Sequence, residues 1–273
     1  MNCHAAVVAS PLLRVRLGPD EVTPSVGRVP GSICARKSPG MQATDRPRSA
    51  DRKERCGDEL LDRYRRREYA RRYKAEYTAG LTPQHLRSRI IAGGEKALIA
   101  RLLREIDPAG SVLLDVPCGA GKLGRLLQSV PVHVVAADVS REMLGIARAE
   151  YDPAQLLRFL QCDAGALPLK DGSVDMIICL RLFHLLAPER RRMILDEFRR
   201  VARGQLLVSY SYGSRLQQIR RTVRTLYARQ IGGRFHVLVG DVMREIEAAG
   251  FTLRTWKYVL PVLSSEIIVH ASI

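Results

Sequence analysis

From about residue 87 onward, apolar runs alternate with charged, periodic stretches, a pattern that predicts strands and helices in turn. Residues 112–116, VLLDV, read as a buried parallel strand, because the run leaves almost no polar face. VHVVAAD, ending in Asp138, and LLRFLQCD, ending in Asp163, read as a second and a third strand; residues 174–180 and 205–210 give a fourth and a fifth. Residues 95–106 place apolar side chains at i, i+3, i+4 and i+7 and predict a helix leading into the first strand. Further helices are expected over 122–127, behind an N-cap at Ser140 with Met143, Leu144 and Ala147 on the buried face, and over 188–201, 214–231 and 240–249. Residues 251–259 and 265–272 are expected to pair as a closing hairpin. The order is that of a doubly wound α/β sheet.

Such a sheet binds ligands at the carboxyl ends of its strands, and three strands deliver Asp115, Asp138 and Asp163 to that edge. Gly119 and Gly121 let the backbone turn tightly and approach a ligand, with a helix starting behind them. Taken literally, Gly119-Ala-Gly121-Lys-Leu-Gly124 is also the G-x-G-x-x-G of a dinucleotide-binding turn. Two features favour S-adenosylmethionine (SAM) instead, while Lys122 on the opening turn settles nothing. Asp115 stands before the glycines, where a carboxylate answers a cationic amino group and repels a pyrophosphate. The decisive feature is Cys162-Asp163-Ala164-Gly-Ala-Leu-Pro168, followed by Asp171-Gly-Ser-Val-Asp175 and a strand.

With these motifs, residues 87–273 resemble a class I SAM-dependent methyltransferase of type 11, the group that includes the ubiquinone/menaquinone C-methyltransferases. Asp115, Gly119 and Gly121 match the D-x-G-x-G-x-G motif, and Pro117 departs from it where the family usually has Gly. The turn must therefore need neither conformational freedom nor an N–H at that position. The resemblance implies a mostly parallel, seven-stranded, Rossmann-like sheet with an antiparallel last strand. It implies SAM as cofactor, with Asp138 on the ribose and Asp163 on the adenine amino group. Asp115, Pro117, Cys118, Gly119, Gly121, Val139, Met143, Ala164 and Leu180 complete the expected cofactor site. No metal is expected.

At 273 residues, 46% of them hydrophobic, the chain has room for one such domain plus an extension. No apolar run nears the ~20 residues of a membrane helix, so a soluble cytoplasmic protein is expected. Of six cysteines none are spaced C-x-x-C, and Cys118, Cys162 and Cys179 fall on predicted strand ends as reduced structural thiols. The net charge of +16 is uneven: residues 1–75 hold 17 Lys/Arg against 9 Asp/Glu, half of the excess. Residues 1–50 have the Pro, Gly, Ser and Arg composition of a disordered basic tail. The tail reads as a solvated segment, an organellar transit peptide, or an upstream extension of a chain starting at Met41. Residues 51–86 predict a charged helical extension with Tyr64, Tyr69, Tyr73 and Tyr77 on one side, packing on the domain or covering the cofactor. Acidic residues woven through it count against nucleic acid as a partner.

The sulfonium carbon of SAM is already electrophilic, so the protein must align the acceptor and exclude water. Arg181-Leu-Phe-His184 leaves the sheet at the ligand edge. His184 is a candidate general base or a helix-orienting residue; the family often has His-His here, and this chain has His184-Leu185. Arg181 is a candidate contact for an anionic acceptor or for the cofactor carboxylate. His236, Tyr210 and Tyr212 are further candidates for the acceptor pocket. On a helix over 214–227, Arg220, Arg221 and Arg224 adjoin an apolar side made by Leu216, Ile219, Val223 and Leu226. That helix is either a lid favouring an anionic or membrane-associated acceptor or a packed surface helix. The expectation is methyl transfer from SAM to a small-molecule or lipid-like acceptor. A catalytically inactive SAM-binding or partner subunit is the alternative, and an RNA methyltransferase has only charge behind it.

Overall fold

The computed structural model describes residues 83–212, 237–261 and 264–273. Helix α1 (Pro83–Ile106) leads into β1 (Val112–Asp115), followed by α2 (Gly124–Leu127), β2 (His133–Asp138), α3 (Arg141–Ala147) and β3 (Leu156–Gln161). Then come β4 (Val174–Cys179), a 3-10 turn (Phe183–Leu185), α4 (Pro188–Val201) and β5 (Ala202–Ser211). After the segment that is not described lie α5 (Val239–Ala248), β6 (Thr252–Tyr258) and β7 (Glu266–Ser272). The seven strands form one sheet in the order β3-β2-β1-β4-β5-β7-β6. β1 to β5 are parallel, and β7 enters antiparallel between β5 and β6. The strand order reverses between β1 and β4, the switch point at which such sheets hold ligands.

Helices cover both faces, which explains why the strands read as unbroken apolar runs. On one face Ile99, Leu102 and Leu103 of α1, with Leu127 and Leu144, pack over Leu113, Val134, Met176 and Ile178. On the other, Ile194, Leu195 and Phe198 of α4, with Val242 and Ile246 of α5, pack over Leu114, Val135, Ile177 and Val208.

α1 is 24 residues long and begins well before the helix expected at 95, so the expected domain boundary at 87 falls inside it. The helix runs through Gly93-Gly94, a pair of low helix propensity. Packing outweighs propensity here: a Cβ on Gly94 would lie 2.9 Å from Leu260 Cγ. β5 gains residues at both ends because it is paired on both sides, with β4 and with β7. The helix expected over 122–127 begins at Gly124, and the strand expected to end at Leu180 ends at Cys179. The tail, residues 51–82 of the extension with its four tyrosines, the arginine-rich helix at 214–231 and His236 lie outside the described residues.

The Asp171-Gly-Ser-Val-Asp175 motif has a structural role. Asp175 Oδ2 accepts the N–H of Val112 at 2.9 Å and so fixes the entry of β1 beside β4. Its other oxygen takes Arg203 Nε at 2.5 Å.

Candidate cofactor and methyl-transfer site

The turn after β1 is anchored to its neighbours by the backbone: Val116 N donates to Ile178 O at 3.0 Å and Cys118 N to Ala137 O at 2.8 Å. Pro117, which follows a cis peptide bond, lacks an N–H, and the flanking residues make both anchoring bonds. Gly121 has φ +77, and a Cβ there would lie 2.8 Å from Glu150 Cβ. Gly124 allows a closer approach still, since a Cβ would stand 2.3 Å from the Glu150 carbonyl oxygen. The third glycine of the literal G-x-G-x-x-G thus seats α2 against the loop after α3.

Asp138 closes the turn. Its Oδ2 accepts the Gly119 N–H at 2.9 Å and its Oδ1 the Ser140 N–H at 2.8 Å. Ser140 in turn caps α3, its Oγ accepting from Met143 N at 3.3 Å, and Met143, Leu144 and Ala147 are buried as expected. Burial pushes the Asp138 carboxyl up, opposed by these backbone donors. A carboxylate oxygen has a second lone pair, so both oxygens keep the capacity to accept a ribose hydroxyl. The residues therefore fit the nucleoside that the sequence implies. Cys118 is buried beside this turn, while Val139 is partly buried on the far side of Asp138. Burial raises the thiols of Cys118 and Cys179 well above their ordinary value and Cys162 to about 12, so none is a ready nucleophile.

Asp115 is buried at 2% exposure and accepts a hydrogen bond from the Tyr151 hydroxyl, a partner the sequence did not announce. Tyr151 follows α3 in a polar loop and is held edge-on against Phe159 at 5.7 Å. Burial pushes Asp115 up to about 7, against the Tyr151 bond and with help from the Asp138 charge. An acid with a raised folded pKa stabilises the fold fully below about pH 4 and loses that contribution as pH rises through about 7. Asp115→Asn keeps an acceptor for Tyr151 and cannot ionise. Its melting temperature should fall less between pH 4 and 7 than that of the unsubstituted protein, as read by calorimetry; parallel profiles would refute this role.

Asp163 follows β3 and begins the loop that leads to β4. Its Oδ1 accepts the Gly165 N–H at 2.8 Å, and its Oδ2 pairs with the Arg190 guanidinium of α4. The loop is fixed further by Arg200, which donates to Leu167 O at 3.1 Å, Leu169 O at 2.8 Å and Asp171 at 2.7 Å. Ala164 sits partly buried beside Asp163.

Leu180 and Arg181 leave β4 on the α1 side of the site. Arg181 has φ +58, a left-handed conformation costly for a residue with a Cβ. It is held there by Ser209 Oγ, which accepts its N–H at 2.8 Å, and by Glu95 of α1. The Glu95 carboxylate takes Arg181 Nε at 3.0 Å and a terminal nitrogen at 2.6 Å. Glu95 occupies the buried face of α1 with Ile99 and Leu102, an acidic residue in an apolar i, i+4, i+7 series; that is the signal by which sequence could have found it. Glu266 of β7 joins the cluster, its carboxyl raised by burial and by Glu95. Burial and the Arg181 charge push Lys122 down to about 7. His184 lies in the 3-10 turn after Arg181, partly buried. Tyr210 faces the core, edge-on to Phe183 at 5.1 Å with its hydroxyl buried, and Tyr212 packs on Tyr258 at 4.8 Å. Among the described residues no cluster of His, Cys, Asp and Glu could hold a metal, and no helix is long and apolar enough to cross a membrane.

A doubly wound sheet with acidic residues at three successive strand ends around a glycine turn defines a nucleoside-binding α/β domain. Residues 113–205 match the family described as a methyltransferase domain. Demethylmenaquinone methyltransferase of Clavibacter sepedonicus is 28% identical over 156 residues, 56% of this chain and 62% of that protein. The mouse tRNA (carboxymethyluridine(34)-5-O)-methyltransferase is 34% identical over 104 residues, 37% of this chain and 15% of that protein. An uncharacterized methyltransferase-like protein of Schizosaccharomyces pombe is 36% identical over 83 residues, 29% of this chain and 30% of that protein. The chain thus spans less than two thirds of the length of each of these relatives. Among solved structures, magnesium protoporphyrin IX methyltransferase of Synechocystis PCC 6803 with bound S-adenosylhomocysteine (SAH) superposes at a TM-score of 0.67. The two are 17% identical, and the match covers 79% of this chain and 98% of that one. Residues 113–205 thus carry a sequence match to a methyltransferase domain, on a fold shared with a methyltransferase that binds SAH.

Proposed function

We propose that this protein transfers the methyl group of SAM to a small-molecule acceptor, lipid-like or anionic, in the cytoplasm. The observation that carries the reading is the row Asp115, Asp138 and Asp163 on adjacent strand ends, with the Gly119 amide turned onto Asp138. Asp138 sits on the middle strand of the three and takes the ribose. The methionine arm then runs toward Asp115 and the glycine turn, and the base toward Asp163 and Ala164. When bound, SAM supplies an electrophilic sulfonium methyl, so the chain's own residues need only align the acceptor and keep water out. Arg181 and His184 leave β4 beside this row. Arg181, anchored by Glu95, directs the turn that carries His184, and His184 takes an acceptor proton where the acceptor has one to lose.

The relative named for demethylmenaquinone supports a small acceptor. The relative named for tRNA favours a second reading, methylation of RNA. Against it, Arg190, Arg191, Arg192, Arg200 and Arg203 pair with acidic residues of the same chain. Mass spectrometry of the purified protein should find SAM or SAH. Methyl-labelled SAM should pass its label to a lipid or small-acid fraction and leave tRNA unlabelled. Labelled tRNA would establish the second reading, and bound NAD would overturn both.

A further inference from the structure

We infer that Arg190 is a specificity-determining residue of the nucleoside site, orienting Asp163 so that it accepts from a 6-amino purine and turns away a 6-oxo one. The inference rests on the reading that places the base at Asp163.

Both bonds to the Asp163 carboxylate come from groups that can only donate: the Gly165 N–H at 2.8 Å on Oδ1 and the Arg190 guanidinium on Oδ2. A carboxylate is acceptor-only in any case; the two bonds fix where its oxygens point and leave each a second lone pair for one more donor. An exocyclic amino group is such a donor, whereas a 6-oxo group offers only lone pairs and would face a fixed acceptor. A site built around a hydrogen bond rejects the analogue that cannot make it far more strongly than an apolar pocket could.

The position of the guanidinium is itself determined. Arg190 lies in the first turn of α4, whose start is set by Pro188 at the head of the helix. The guanidinium lies against the bare backbone of the loop: a Cβ on Gly165 would come within 3.4 Å of it and of Asp163 Oδ1. Arg190 and Asp163 keep side-chain exposures of 32% and 36%, so the pair lies at the rim of the fold, within reach of a ligand. Nothing else on α4 duplicates the contact, because Arg191 turns inward to Glu245 and Arg200 holds the loop further along.

The test is calorimetric titration of the full chain with SAH and with S-inosylhomocysteine, its 6-oxo counterpart. The unsubstituted protein should prefer SAH by at least ~30-fold. Arg190→Met should shrink that ratio to below ~5-fold, mainly by weakening SAH, and Arg190→Lys should recover part of it. If Arg190→Met binds both ligands more weakly but keeps the full ratio, Arg190 only fastens the helix to the loop and the inference is overturned. If the unsubstituted protein itself fails to discriminate, the placement of the base at Asp163 fails first and takes this role with it. Should Arg190→Met not fold, the Lys variant decides: an undiminished ratio there overturns the inference and a reduced one supports it.

Discussion

Asp138→Ala should weaken SAM binding by at least ~30-fold, equivalent to about 2 kcal/mol or more, in titration calorimetry. Two losses add up. The ribose hydroxyls lose a charged acceptor, and the Gly119 and Ser140 amides lose the oxygens that hold the turn closed. Asp138→Asn keeps one oxygen but sets an NH2 against one of the two amide donors, so it should both bind more weakly and melt lower than the unsubstituted protein. Unchanged affinity in the Ala variant would refute the placement of the ribose.

Glu95→Gln should lower stability by roughly 2–4 kcal/mol, because it removes the charged partner that takes two nitrogens of a partly buried guanidinium. For a domain of this size that is a drop of roughly 5–15 °C in melting temperature. The substitution also removes one of the two restraints on the left-handed backbone of Arg181, Ser209 being the other, so SAM binding should fall as well. Arg101→Gln removes an ion pair from the same helix whose partners are 62% and 46% exposed, and it should leave the melting temperature unchanged. Equal melting temperatures for the Glu95 and Arg101 variants would show that the buried pair contributes nothing.

The framework of the site was legible because each part has a local signature. Unbroken apolar runs mark strands covered on both faces, and the residue ending each run lands on the ligand edge. Asp138 and Ser140 could be placed this way because the bonds they make lie within a few residues of a strand end. What stayed hidden was long-range. Glu95 meets Arg181 across 86 residues, Arg190 meets Asp163 across 27, and Tyr151 meets Asp115 across 36. No periodicity encodes such partners, although a charge on an apolar helix face, as at Glu95, announces that one must exist. The extension of α1 through its double glycine stayed hidden for the same reason: Leu260, which fills the space beside Gly94, comes from the far end of the chain.

The loop between β3 and β4 carries no helix of its own, and the side chains that brace it, Arg190, Glu197 and Arg200, all belong to α4. Every motif residue is synthesised before those braces exist. A nascent or truncated chain ending ahead of Pro188 would hold all the proposed cofactor-binding residues and still lack the side chains that shape this loop. On the proposed reading, the loop expected to meet the base therefore takes its shape only once α4 is docked beside it.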